Sequence, residues 1–217
     1  MATEHVGADA AGGPAHAGIV VTDLAVRYQG TPEPAITGVS LDIAPGHGLC
    51  VTGGEGSGKT SLLRALVGLV APVRGAVRVG GANPLDPAVR RAIGFGPERM
   101  PFPRGLRVID AVRLVAAIRG TDDSPGAALE RTGLPPDDRR LITGLELGEV
   151  RRVSLACASV GDPGVLVLDD PWEYPETVEL IHAALDAGRV VVVATPDAGG
   201  FPEILGAQLD LTVEVAE

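Results

Sequence analysis

Eight residues carry the clearest chemistry in this chain: Gly53-Gly54-Glu55-Gly56-Ser57-Gly58-Lys59-Thr60. They fit the spacing G-x-x-x-x-G-K-[ST] of a phosphate-binding loop. A triphosphate needs several backbone N–H groups aimed inward, and glycines let the chain curl closely enough to supply them. Lys59 adds a point charge that reaches the β- and γ-phosphates, and the Thr60 hydroxyl is a ligand for Mg²⁺. Ser57, Ser61 and the loop glycines complete the expected phosphate contacts.

That loop works only if a strand feeds it and a helix leaves it. Gly48 to Thr52 reads as a short buried strand, and Ser61 to Leu69 is rich in helix formers and ends near Gly68. The helix N-terminus adds its own attraction for anions. Further strands are expected at 19–28, 35–43, 73–80 and 93–95. Residues 108–119 are helical by spacing, and Leu106, Ile109, Val112, Val115, Ala116 and Ile118 form an apolar stripe. A short helix follows at 127–132, then a longer one at 149–160. The run Gly164-Val165-Leu166-Val167-Leu168 is a buried strand ending in Asp169-Asp170, followed by a helix at 175–187 and a strand at 189–194. Alternating helices and buried strands predict an α/β fold with a mainly parallel sheet covered on both faces.

Composition narrows the field. The chain has 217 residues, enough for one sizeable domain, and 45% of them are apolar while only 3% are aromatic, so the core must be aliphatic. A net charge of -10 argues against nucleic acid as partner, because phosphate neutralisation needs a basic surface. The longest apolar runs are strand-length, far short of a membrane span, and no secretory signal opens the sequence. The chain is therefore expected to be soluble and cytoplasmic. Cys50 and Cys157 lie in apolar segments and read as buried structural residues. Residues 1–17 lack periodicity and read as a disordered tail, whose His5 and His16 have no partners for metal binding.

Several stations beyond the loop line up. Tyr28 lies one strand and loop upstream. The segments Gly75 to Gly81 and Val89 to Phe95, the run Arg151-Arg152-Val153-Ser154-Leu155-Ala156, and the apolar strand ending at Asp169 follow in order. Together with the loop they resemble the nucleotide-binding domain of ATP-binding cassette (ABC) transporters, over nearly the whole chain from about Ile19. The resemblance implies a P-loop NTPase fold with a small antiparallel β subdomain and a small helical subdomain at about 97–150, within a domain covering 18–217. It implies that Tyr28 stacks on adenine, that Asp169 holds Mg²⁺ through water, and that Asp170 stands where the general base belongs. Glu98 aligns with a glutamine that senses Mg²⁺, and as a glutamate it remains a candidate Mg²⁺ or water ligand.

The sequence also departs from that family. Leu145-Glu146-Leu147-Gly148-Glu149 stands where the family has Leu-Ser-Gly-Gly-Gln, placing a carboxylate where a serine would meet phosphate. Two like charges at ~4 Å repel by about 4 kcal/mol at an effective dielectric of 20. Asp170 is one methylene shorter than the family's glutamate. Trp172-Glu173-Tyr174-Pro175 replaces Ser-Ala-Leu-Asp, and Pro196 replaces the switch histidine. The expected protein binds Mg·ATP and hydrolyses it slowly. It would act at the cytoplasmic face of the membrane with a separate permease polypeptide and a second nucleotide-binding domain, identical or not. Pro101-Phe102-Pro103 is either a docking contact or a loop anchor. Two other readings stay open: a non-catalytic ATP-binding regulatory or assembly module, and an unrelated P-loop kinase. The only hint of the kinase is Arg151-Arg152, a pair that a solvated helix face explains better.

Overall fold

The computed structural model describes residues 17–196 and 199–211. The chain opens with β1 (Ile19–Val26), β2 (Ile36–Ile43) and β3 (Gly48–Thr52), then α1 (Lys59–Leu66), β4 (Arg74–Val79), α2 (Pro87–Arg91) and β5 (Ile93–Gly96). Three helices follow: α3 (Val108–Arg119), α4 (Pro125–Arg131) and, after a 3-10 turn at Ile142–Gly144, α5 (Leu147–Ser159). The last part alternates β6 (Val165–Asp169), α6 (Pro175–Asp186), β7 (Val190–Ala194), α7 (Phe201–Leu205) and β8 (Gln208–Asp210).

Two sheets result. One is antiparallel, ordered β2-β1-β4, and the other is parallel, ordered β5-β6-β7-β3-β8. β1 runs as one strand, with register shifts around Asp23, whose φ of 44° is left-handed. The expected α/β fold with its small antiparallel sheet is therefore present. Elements α7 and β8 were not expected from local pattern. At five and three residues they are too short to display a period, and β8 exists because β3 offers it an edge. The tail expected at 1–17 lies, apart from Ala17, outside the described residues, as do His5 and His16.

Side-chain alternation builds two cores from one sheet. Val165, Val167, Val190, Val192 and Val51 face α1 with Leu62, Leu63 and Leu66. Their neighbours Leu166, Leu168, Val191, Val193 and Cys50 face the other way, against Ile181, Leu155 and Phe201. Period-two alternation puts both sets in apolar surroundings, so β3, β6 and β7 are buried along their whole length. A third core joins α3, α4 and α5 through Val112, Leu129, Leu134, Val153 and Cys157. Phe102 packs on its edge, which favours the anchoring role for that proline-flanked loop. Both cysteines are buried and unpaired, and burial pushes Cys50 up to about 11 and Cys157 up to about 12. As buried thiols they are unreactive at neutral pH.

Helix α5 links the helical unit to the sheet and is held at both ends. Its N-cap is Glu146, whose side chain accepts from the N3 backbone, while Glu149 accepts from the Glu146 N–H at 3.2 Å. This is a reciprocal capping box in which glutamate takes the place usual for serine or threonine. Arg140 fixes it from outside, at 2.7 Å from Glu149 Oε1 and 2.7 Å from the buried carboxylate of Asp138. At the C-terminal end Arg119 donates to the carbonyls of Ala158 (3.0 Å), Val160 and Ile93 (3.4 Å). Burial lowers that guanidinium to about 10, and it remains a cation at neutral pH.

Arg119→Met is expected to lower unfolding free energy by about 2–3 kcal/mol, measured in urea, because buried carbonyls lose a charged donor. Glu146→Ala should cost about 1 kcal/mol through the lost cap. Hydrogen bonding by Arg140 holds the Asp138 and Glu149 carboxyls below the ordinary range. The unfolded chain therefore takes up protons first as the pH falls. This contribution is complete above the ordinary carboxylate range and lost below it. Asp138→Asn should flatten the pH dependence of unfolding there.

Candidate functional site

All five strands of the parallel sheet point their carboxyl ends the same way, so the loops after β3, β5, β6 and β7 share one edge. Such an edge is where open α/β sheets bind ligands. The loop after β3 passes directly into α1. Its N-cap is Gly58 at φ 93°, with no side-chain cap, which leaves the first N–H groups of α1 directed outward. Only glycine fits there: a Cβ would lie 2.1 Å from Ile36 Cγ2 and 2.6 Å from the Ala35 carbonyl oxygen. Gly53, at φ 145°, is similarly excluded from carrying a side chain by Ser57 Oγ at 2.6 Å. A cavity of about 180 Å³ lies against Ala35, Gly56, Ser57, Gly58, Lys59, Thr60 and Ser61.

Lys59 lies across the loop and donates to the Gly53 and Gly54 carbonyls at 2.5 and 2.8 Å. Ser57 Oγ is 3.4 Å from the same ammonium group. Glu55 is exposed at the rim beside Gly54 and Gly56, and Ser57 and Ser61 are buried. Ser61 accepts from the Tyr28 hydroxyl at 3.2 Å, which places that ring beside the first turn of α1. Arg64 also donates to the Tyr28 hydroxyl, at 3.4 Å.

Register brings the second half of the site to the first. Val51 of β3 and Asp169 of β6 both sit opposite Ala194 of the intervening β7. They are therefore level, two strand spacings or about 10 Å apart. Helix α1 spans that gap, and Thr60 Oγ1 donates to Asp169 Oδ2 at 2.9 Å. Burial pushes the Asp169 carboxyl up, the Thr60 hydroxyl opposes the shift, and the charges of Glu98 and Asp170 add to it while Arg64 relieves it. Thr60 and Asp169 are hard-oxygen donors of the kind Mg²⁺ takes, and among the described residues no group of three or more acidic, histidine or cysteine side chains gathers into a metal site. The Thr60–Asp169 pair fits an Mg²⁺ ion that takes its other ligands from phosphate and water, and the uncapped helix with its cradle fits a phosphate chain.

The remaining predicted residues fall out differently. Glu98 is exposed beyond β5, with Arg99 at 3.6 Å. Asp170 has a left-handed φ of 48°, gives its N–H to the Ala194 carbonyl at 2.7 Å and receives the Arg151 guanidinium on its own carbonyl at 2.5 Å. Its Oδ2 is 3.9 Å from Arg151 Nη2. Arg151 stacks on Trp172 at 4.7 Å and Arg152 on Tyr174 at 4.9 Å, and Arg152 also pairs with Glu176 at 3.2 Å. The expectation of a solvated arginine face is thus corrected. The Arg151 side chain is only 16% exposed, because the aromatic residues after β6 cover it. Glu173 accepts from the Gly200 N–H at 2.8 Å, so the same loop also reaches the start of α7. Pro196 is exposed, and Leu147 is 61% exposed beside the capped N-terminus of α5.

Sequence reading missed Arg64, Arg140 and the pairing of Arg151 with Asp170. Arg64 had a signal, since it follows Thr60 by one helical turn and shares its face. The other two pairings join segments whose approach no local pattern encodes.

Comparison with known proteins agrees with this geometry. Residues 36–173, well over half the chain, match the model of the ABC transporter family. The chain is 40% identical over 156 residues to the zinc import ATP-binding protein ZnuC of Paracoccus denitrificans, an alignment covering 71% of this chain and 58% of that protein. It is 30% identical over 190 residues to the probable multidrug ABC transporter ATP-binding protein YbhF of Escherichia coli, covering 82% of this chain and 33% of that one. The chain thus spans between a third and three-fifths of the length of these two relatives. Against the putative ABC transporter ATP-binding protein VNG_2317G of Halobacterium salinarum it is 34% identical over 208 residues, covering 82% of each. Among solved structures, an ATP-binding subunit of an ABC transporter superposes with a TM-score of 0.80 at 20% identity, covering 88% of this chain and 85% of that one. The dimeric bacterial cassette MJ0796 gives 0.75 at 21% identity, covering 90% and 96%. At those identities the two structures speak for the fold alone. Family model, relatives and site geometry converge: this chain belongs to the ATP-binding domains of the ABC transporter family.

Proposed function

We propose that this chain binds Mg·ATP at Gly53–Ser61 and hydrolyses it slowly to drive or regulate a separate membrane permease. The observation that carries the reading is the Thr60–Asp169 hydrogen bond at 2.9 Å beside an uncapped helix start. It unites a metal-ligating pair with a phosphate cradle, although 109 residues separate the two partners. Lys59 would exchange the Gly53 and Gly54 carbonyls for the β- and γ-phosphates. Tyr28 would leave Ser61 to stack on adenine, a contact worth roughly 1–3 kcal/mol. Mg²⁺ held by Thr60 and Asp169, with Glu98 as a further ligand, would neutralise phosphate charge. Asp170 is the candidate base for the attacking water.

Slow turnover is argued from three features. Asp170 is a short base, and misplacement by about 1 Å can cost on the order of a hundredfold in rate. Pro196 offers no hydrogen-bond donor to a γ-phosphate. Glu146 already places a carboxylate on the N-terminus of α5, so that helix end is a poor clamp for a phosphate bound by a facing domain. The cap is this protein's substitute for the phosphate it would otherwise meet. Partners follow from the family: a permease and a second nucleotide-binding domain. The helical unit at about 97–150 would face the permease from the cytoplasmic side.

The same capped helix and the paired Asp170 favour a second reading, a nucleotide-sensing module that does not hydrolyse. Single-turnover assays separate the two: slow but Lys59-dependent phosphate release supports the first, and bound, unhydrolysed ATP the second. Recovery of a permease with the chain from native membranes supports the transport role, whereas an exclusively soluble partner supports the sensor.

In calorimetry, Lys59→Ala should weaken Mg·ATP binding by at least about tenfold, and removing Mg²⁺ with a chelator should have a similar effect. Turnover should lie on the order of a hundredfold below the ~10 s⁻¹ common among enzymes. Ordinary family-like turnover that Lys59→Ala abolishes would refute slow hydrolysis.

A further inference from the structure

We propose that Arg151 is a positioning residue that latches Asp170 toward α5, and that this latch restrains hydrolysis. The proposal rests on the reading of the chain as a slow hydrolase. It adds a cause of slowness that the type of residue at position 170 does not reveal.

The geometry is specific. Asp170 lines a small cavity of about 30 Å³ together with Asp169, Arg151, Ser154, Trp172 and Tyr174, beside α5. Arg151 grips Asp170 twice, at the carbonyl (2.5 Å) and, more loosely, at Oδ2 (3.9 Å). The left-handed backbone at Asp170, φ 48°, is uncommon for a residue with a side chain and is held there by the Ala194 and Arg151 contacts. Trp172 covers the guanidinium at 4.7 Å and meets Tyr174 edge-on at 5.5 Å, so the arginine cannot swing out without unstacking.

The latch is not fully satisfied. Arg151 Nε, Arg152 Nε and Ser154 Oγ are buried around the same cavity and find no protein partner among the described residues. A network left partly unpaired loses little when it rearranges. The held state is therefore poised for release rather than welded shut. When freed, the carboxylate would take the proton of the attacking water as the water oxygen bonds the γ-phosphorus and the bond to the ADP oxygen breaks.

The test uses the full chain and Mg·ATP. Arg151→Gln should raise kcat by about tenfold and leave KM for ATP within about twofold, since the phosphate loop is untouched. Trp172 is the only tryptophan, so loss of its cation stack is read directly as a change in its emission. Adding Asp170→Asn to Arg151→Gln should cancel the gain, because the released group is then no longer a base. If Arg151→Gln fails to fold, Trp172→Leu loosens the same latch and should produce the same rise. A folded Arg151→Gln variant with altered emission but unchanged or lower kcat overturns the latch, as does a gain that survives Asp170→Asn. Failure of the wild-type chain to bind Mg·ATP in calorimetry would instead remove the hydrolase reading itself.

Discussion

Everything at this site depends on the parallel register of β3, β7 and β6. Ala194 of β7 stands level with Val51 on one side and Asp169 on the other. That single alignment sets the end of the phosphate-loop strand and the Asp169 carboxylate at one height, about 10 Å apart. Helix α1 closes the distance, and Thr60 meets Asp169. A slip of one residue in β6 would turn Asp169 to the opposite face and break the pair. The apolar alternation that places Val165 and Val167 toward α1, and Leu166 and Leu168 toward α6, is what forbids such a slip. Core packing and chemistry are thus set by one pattern.

Around this fixed edge the chain makes unusually self-contained arrangements. Glu146 and Glu149 close the N-terminus of α5 with their own carboxylates, and Arg140 ties Glu149 to Asp138. The loop after β6 turns its aromatic rings onto the arginines of α5, and Glu173 ties it to the start of α7. The N-terminus of α5 and the arginines on its flank thus find neighbours within the chain.

Some of this was legible in the residues, and some was not. The strand at 48–52, the glycine loop and the helix after it were readable because their geometry is local: the φ values, the uncapped helix start and the strand feeding it all lie within a score of residues. The buried strands at 165–169 and 190–194 were readable because continuous apolar runs can only be buried. The arginines at 151 and 152 were misread as solvated, since helical spacing locates a face without naming what lies on it. The short elements α7 and β8 escaped because five or three residues cannot express a period and owe their form to neighbouring backbone.

The sequence alone therefore determined the fold class and the phosphate cradle, whose parts are adjacent along the chain and constrained by glycine stereochemistry. Tertiary structure alone decided that Thr60 meets Asp169, that Arg140 braces the cap of α5, and that Arg151 rather than open solvent faces Asp170. Those pairings span sequence separations over which local preference carries no information. They are fixed by strand register and helix packing, which exist only once the whole sheet has formed.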